Sequence, residues 1–165
     1  MAAKGSNGNK SKPNLAPRIE NRRAWHEYFI DAKLECGIVL QGSEVKSLRL
    51  GKATLQEAFA RIDNGQLVLH QLHIDPYEKA ALTYNHEPRR DRKLLVHKRE
   101  LKKLAAATDD QSRSTLIPLA IYFVNGRAKV EIGVARGKQQ HDKRASIKKR
   151  EMDAELRRAT MTHRR

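Results

Sequence analysis

Two groups of residues have the means for chemistry. In the run NRRAWHEYFI, Asn21 to Ile30, the rings of Trp25, His26, Tyr28 and Phe29 are interleaved with the cations Arg22 and Arg23. Such rings stack on unpaired bases while guanidinium groups meet phosphates. A ring in such a run also fills a core, and for any single ring that is the more common fate. Further on, Lys46, Arg49 and Lys52 fall on one side of a short helical pattern. The chemistry on offer is recognition of a polyanion, not bond making. Asp31, Asp63 and Asp142 would have to converge on a metal beside a base, and their spacing does not suggest it. His70 and His73 stand three apart in a strand pattern, where side chains point to opposite faces. No Cys/His/carboxylate cluster completes a zinc site. A Walker loop, a serine elbow and paired histidine ligands are all missing. The expectation is a protein that is not an enzyme, with no catalytic residue, metal or cofactor.

The positioning elements are read as follows. In ECGIVLQGSEVKSLRLGKATL, Glu35 to Leu55, an apolar strand (Cys36, Ile38, Val39, Leu40) meets Gly42-Ser43. Ser43 is expected to cap a helix over 44–50, and Gly51 to end it in a left-handed conformation. Val45, Leu48 and Leu50 give that helix an apolar side. Taken alone, this also fits an ordinary strand-to-helix connection with a solvated charged face. The chain from Trp25 is expected to be a strand, with Trp25 and Phe29 on one face and His26, Tyr28 and Ile30 on the other. Residues 53–74 read as a hairpin about Asp63-Asn64-Gly65, and residues 115–135 as a second about Asn125-Gly126. Leu119, Ile121 and Phe123 alternate with Ala120, Tyr122 and Val124; Val130, Ile132 and Val134 face away from Lys129 and Glu131. Between the hairpins lies a polar connection over 78–92. A helix follows from about Lys93, with Leu94, Leu101, Leu104 and Ala105 on one stripe and an end at Thr108-Asp109-Asp110.

Bulk properties agree with a polyanion partner. The chain has 165 residues and a formal net charge of +15, which favours nucleic acid or an anionic membrane surface. No apolar run approaches the roughly 18–20 residues of a bilayer span, and no signal-peptide core opens the sequence. A lone cysteine, Cys36, cannot close an internal disulfide, so a buried thiol and a cytoplasmic home are expected. Residues 1–20 read as a disordered basic arm, 21–136 as one folded domain, and 137–165 as a basic tail. The tail is rich in helix formers without a wide apolar stripe. Such a segment is disordered alone or helical on a polyanion that neutralises it.

GSEVKSLRLGKA resembles the core signature of the SsrA-binding protein (small protein B) family. NRRAWHEYFI, PYEKAALTYNHEPRRDRKLLVHKREL and VARGKQQHDKR match further family motifs in the same order, so the resemblance spans about residues 20–150. Where the family has a Gly-Asn pair, this chain has Ala81-Leu82. The resemblance implies a β-rich, mainly antiparallel, OB-like β-barrel with a few flanking helices. It implies an RNA-binding adaptor that holds the tRNA-like part of transfer-messenger RNA and brings it to stalled ribosomes for peptide tagging. Elongation factor Tu with alanyl-transfer-messenger RNA is the further partner implied, with no membrane and a monomeric chain. Asn21, His26, Tyr28, Glu35, Leu95 and Lys129 match the family's RNA-binding region; Arg22, Arg23, Lys46 and Arg49 join them as cations. In the tail, Gly137, Lys138, His141, Asp142, Lys143 and Arg144 match residues near the decoding centre, and Lys148, Lys149 and Arg150 belong to the helix of the messenger channel. Glu35 is the odd member. An acid repels phosphate, so its part is a hydrogen bond to a base or sugar, or support of a neighbouring cation. A general single-strand binding module explains the charge and the barrel but not the ordered motifs.

Overall fold

The computed structural model describes residues 16–80, 85–108, 113–139, 142, 144 and 151–154. In chain order the elements are β1 (Ile19–Glu20), α1 (Arg22–Glu27), β2 (Tyr28–Ile38), α2 (Gly42–Arg49), β3 (Ala53–Thr54), β4 (Phe59–Asp63), β5 (Gln66–His70), β6 (His73–Ile74), β7 (Arg92–Leu95), α3 (Lys98–Ala107), β8 (Ser114–Val124) and β9 (Arg127–Gly137).

Asn-Gly turns set both hairpins. Asn64 and Gly65 have φ of 49° and 72°, and Asn125 and Gly126 have 49° and 78°. Positive φ at both central positions matches the twist of the flanking strands. Asp63 then pairs with Gln66, and Val124 with Arg127. The pairings go on to close a ring. β8 pairs with β9, β9 with β2, β2 with β7, β7 with β5, β5 with β4, and β4 returns to β8 through Ala60 and Leu116. These six antiparallel strands form an OB-like barrel, as expected from the sequence. β1 adds outside the ring, against β8, and β3 with β6 makes a separate two-stranded ladder.

Alternation fills the interior. Cys36 and Ile38 of β2, Leu67 and Leu69 of β5, Leu94 of β7, and Val130, Ile132 and Val134 of β9 are buried in one cluster with Leu48 of α2 and Leu104 of α3. In β8 the phase changes midway. The register steps from Pro118↔Ile132 to Ala120↔Glu131, a bulge that leaves Leu119 over. A bulge inverts the face of every later residue. Leu116, Ile121 and Phe123 therefore share the barrel core, while Ile117 and Leu119 join Ala24 and Ala135 in a second cluster under α1. The expected common face of Leu119, Ile121 and Phe123 is corrected by that bulge.

Three further expectations are corrected. Trp25 and His26 lie in a helix, not a strand. Asn21 starts it: its Oδ1 accepts the Ala24 N–H at 3.1 Å, which is N-cap geometry. Extended backbone resumes only at Tyr28, so Trp25 and Phe29 are on different elements. α2 begins at Gly42 behind an N-cap at Gln41, whose backbone N–H donates to Glu44 at 2.6 Å. The Ser43 hydroxyl instead meets His86 Nδ1 at 2.9 Å. Gly51, with φ +75°, ends α2 as expected. Finally, the segment after Arg92 is a strand before it is a helix. Its residues alternate buried and exposed and pair with both β5 and β2. Barrel closure outweighs helix propensity there, and α3 starts only at Lys98; Ala105 is exposed on it.

Candidate nucleic-acid interface

Three neighbouring strands bring one side chain each to a shared point. In β2, Leu34, Cys36 and Ile38 turn toward the core, so Glu35 and Gly37 turn outward. The register sets Gly37 opposite Lys129, and Lys129 opposite Tyr122. Lys129 Nζ lies 3.2 Å from Glu35 Oε1. The Tyr122 hydroxyl donates to the other oxygen, Oε2, at 2.5 Å. That hydrogen bond, then the one from Lys129, holds the Glu35 carboxyl below its ordinary range. Burial, then the same bond, pushes the Tyr122 phenol up to about 12. At neutral pH the cluster is an anion between a cation and a neutral O–H donor. Of the parts open to Glu35, the contact made within the protein is the one to a neighbouring cation, Lys129.

A groove of about 740 Å³ opens beside this cluster, lined by Glu35, Gly37, Val45, Leu95, Val96 and Lys129. Leu95 is 61% exposed. A Cβ at Gly37 would stand 3.2 Å from the Leu95 Cβ, so the missing side chain lets Leu95 cross β2. Phe123 also reaches the groove, and the Arg49 guanidinium lies 5.6 Å from its ring centroid. Lys46 stands over Tyr77 instead, at 5.2 Å.

α2 is held in place by buried charge. Glu44 and Arg92 are both fully buried. Arg92 Nε donates to Glu44 Oε1 at 2.8 Å, and Arg90 Nη2 to Oε2 at 2.5 Å. Arg92 Nη1 and Nη2 also donate to the carbonyls of Leu72 and Pro88 at 2.6 and 3.0 Å. Burial pushes the Glu44 carboxyl up, but hydrogen bonds from Arg90, the Gln41 N–H and Arg92 reverse this and leave it lowered.

The α1 candidates sit apart from the groove lining. Asn21 is buried, and its Nδ2 donates to the carbonyls of Leu55 and Pro118 at 3.1 Å each. With Oδ1 on Ala24, every polar atom of that side chain is engaged inside the protein, tying α1 to the barrel. Arg23 pairs with Glu27 at 2.7 Å, and Arg22 is exposed. Tyr28 packs on the cluster under α1, and His26 is half-buried. The tail leaves from the same place. Gly137 pairs with Tyr28. The Lys138 N–H donates to Glu27 O at 2.9 Å, and its Nζ donates to Trp25 O at 3.0 Å while lying 4.9 Å from the Phe29 ring. Asp142, helical, accepts the Gln139 N–H at 3.2 Å; Arg144 is helical and exposed. His141, Lys143, Lys148, Lys149 and Arg150 lie outside the described residues.

Sequence reasoning missed Tyr122 and the Glu44 cluster, and took Arg18 only for a loose phosphate contact of the N-terminal arm. The Arg18 guanidinium lies 4.7 Å from the Tyr122 ring centroid. None of these left a spacing signal, because each partner comes from a distant strand or loop. His70 meets Asp63 and Asp91, and His73 meets Asp75. Among the described residues no group of three or more such side chains is arranged to hold a metal, and no helix is long and apolar enough to cross a membrane.

The family model described as SmpB protein matches residues 18–162. The SsrA-binding protein of Syntrophotalea carbinolica is 55% identical over 139 residues, covering 84% of this chain and 91% of the relative. That of Geobacillus kaustophilus is 49% identical over 140 residues, covering 85% and 89%. A solved chain from "tmRNA-SmpB: a journey to the center of the bacterial ribosome" superposes with a TM-score of 0.65 at 48% identity, covering 80% of this chain and 95% of that one. A match over most of the length, on a barrel that gathers Glu35, Leu95 and Lys129 at one groove, establishes that the chain belongs to the SmpB, or SsrA-binding protein, family.

Proposed function

We propose that this protein is an RNA-binding adaptor that holds the tRNA-like part of transfer-messenger RNA and delivers it to stalled ribosomes for peptide tagging. The observation that carries the reading is the convergence of Glu35, Leu95 and Lys129 on one groove, in a chain whose relatives are SsrA-binding proteins. A groove with an exposed leucine, a positioned cation and Arg49 nearby suits folded RNA, recognised by shape and backbone. The excess of +15 charges supplies attraction that falls with salt. The work divides among an arm at 1–20, the barrel domain at 21–136 and the tail at 137–165. The barrel carries RNA affinity. The tail, through Gly137, Lys138, His141, Asp142, Lys143 and Arg144 and then Lys148, Lys149 and Arg150, senses the decoding centre and the empty messenger channel. The protein works as a monomer in the cytoplasm, with elongation factor Tu on the same alanylated RNA. No catalytic role is assigned to any residue.

The first test is competition at physiological salt. Labelled transfer-messenger RNA stays bound against excess unrelated RNA; displacement at equal concentration would replace this reading with a general RNA-binding module. In the same assay Glu35→Ala weakens binding about 10-fold, the scale of one charge-assisted hydrogen bond. Asp142→Ala with Lys143→Ala and Arg144→Ala spares affinity and abolishes tagging on stalled ribosomes. If the tail variant loses RNA affinity instead, the division of labour is wrong.

A further inference from the structure

We propose that Tyr122 is a positioning residue of the groove, whose hydroxyl locks the Glu35 carboxylate in the orientation that aims Lys129 at bound RNA. This rests on the reading of the Glu35–Lys129 groove as the RNA site.

A phenol has one O–H to donate, and here it goes to Glu35 Oε2, leaving Oε1 to hold Lys129. Both carboxylate oxygens are thus engaged from opposite partners, and the group cannot rotate freely. Glu35 and Lys129 alone would be an exposed ion pair between two long side chains, which contributes little and wanders. Tyrosine has few rotors, and this ring is clamped. Arg18 stacks on it, and Arg18 is itself held by Glu20 at 3.1 Å and Glu131 at 2.7 Å. Glu131 is fixed in turn by Lys33 at 3.2 Å. Order therefore runs from the foot of the N-terminal arm through Tyr122 to Glu35 and then to the cation. A packing role does not explain the hydroxyl. Ile121 and Phe123 on either side are buried in the barrel core, whereas Tyr122 is half-buried on the outer face.

Tyr122→Phe removes the hydroxyl and keeps the ring. Affinity for transfer-messenger RNA is measured for the wild type, Tyr122→Phe, Glu35→Ala and the double variant across a salt series. Tyr122→Phe is expected to weaken binding about 5-fold, and the double variant to bind no more weakly than Glu35→Ala alone. The slope of log K against log salt stays at the wild-type value in Tyr122→Phe, because a neutral hydroxyl releases no counterion. Lys129→Ala, by contrast, lowers it by about 0.7–0.9. Carboxyl NMR of the RNA-free protein gives a second readout, in which the Glu35 titration moves up in Tyr122→Phe. If Tyr122→Phe melts early, Arg18→Gln takes its place, since it leaves the core untouched; its loss of affinity must likewise vanish in the Glu35→Ala background. Wild-type binding by Tyr122→Phe beside a weakened Glu35→Ala overturns the positioning role and leaves the groove reading standing. Additive losses also overturn it, because Tyr122 would then act on RNA directly. Wild-type binding by Glu35→Ala overturns the groove reading itself.

Discussion

Glu44, the third residue of α2, faces neither solvent nor the groove. Its carboxylate holds Arg90 and Arg92, so the signature helix is bound to the start of β7 and the residues just before it. Removing one partner of a buried pair leaves the other charge uncompensated. Glu44→Gln is expected to lower stability by about 3–5 kcal/mol in urea unfolding at neutral pH. The pH dependence has a definite sign. The folded Glu44 pKa lies below its ordinary value of 4.5. The ionised pair therefore contributes its full stability above about pH 4.5, and that contribution is lost as pH falls through the lower folded value. The stability gap between wild type and Glu44→Gln is expected to narrow below about pH 4.5; a gap that is flat from pH 7 to 3 would contradict the role given to the carboxylate. At the same scale, burial pushes the Cys36 thiol up to about 12, which fits an inert core residue.

Among the elements, α2 shows how local chemistry and packing meet. Gly51 ends it with φ +75°, and a Cβ there would stand 3.0 Å from Pro17 Cγ. Gly51→Ala is expected to cost about 1–2 kcal/mol from the left-handed backbone alone, read as a lowered melting temperature. The hairpins were legible because Asn-Gly words state their backbone requirement within two residues. α1 was not, because aromatic residues favour strands and the deciding feature is the Asn21 cap, which needs Leu55 and Pro118 to bury it. β7 was not legible either. Arg92–Leu95 carries a helix-compatible composition, and only pairing on two sides makes it a strand.

At the scale of the whole molecule, the ring of strands closes ahead of the segment proposed as the tail. The last barrel strand, β9, ends at Gly137, and Lys138 is tied to α1 through the carbonyls of Trp25 and Glu27. On the proposed division of labour, a chain ended after Gln139 is expected to keep its stability within about 0.5 kcal/mol, the range of changes outside packed contacts, while losing tagging. A large drop in denaturant midpoint would mean that the tail buttresses the barrel.

By itself the sequence determined whatever depends on neighbours along the chain. It settled the Asn-Gly turns, the alternation of Val130, Ile132 and Val134, the left-handed stop at Gly51, the cationic excess, and the motifs that mark the family. Only the tertiary structure decided what depends on register. Glu35 and Tyr122 are 87 residues apart, and Glu44 and Arg92 are 48 apart. A single bulge at Leu119 sets which face of β8 meets the core, and with it whether Tyr122 can reach Glu35. Closing the barrel fixes these registers together, because each strand must satisfy two neighbours at once.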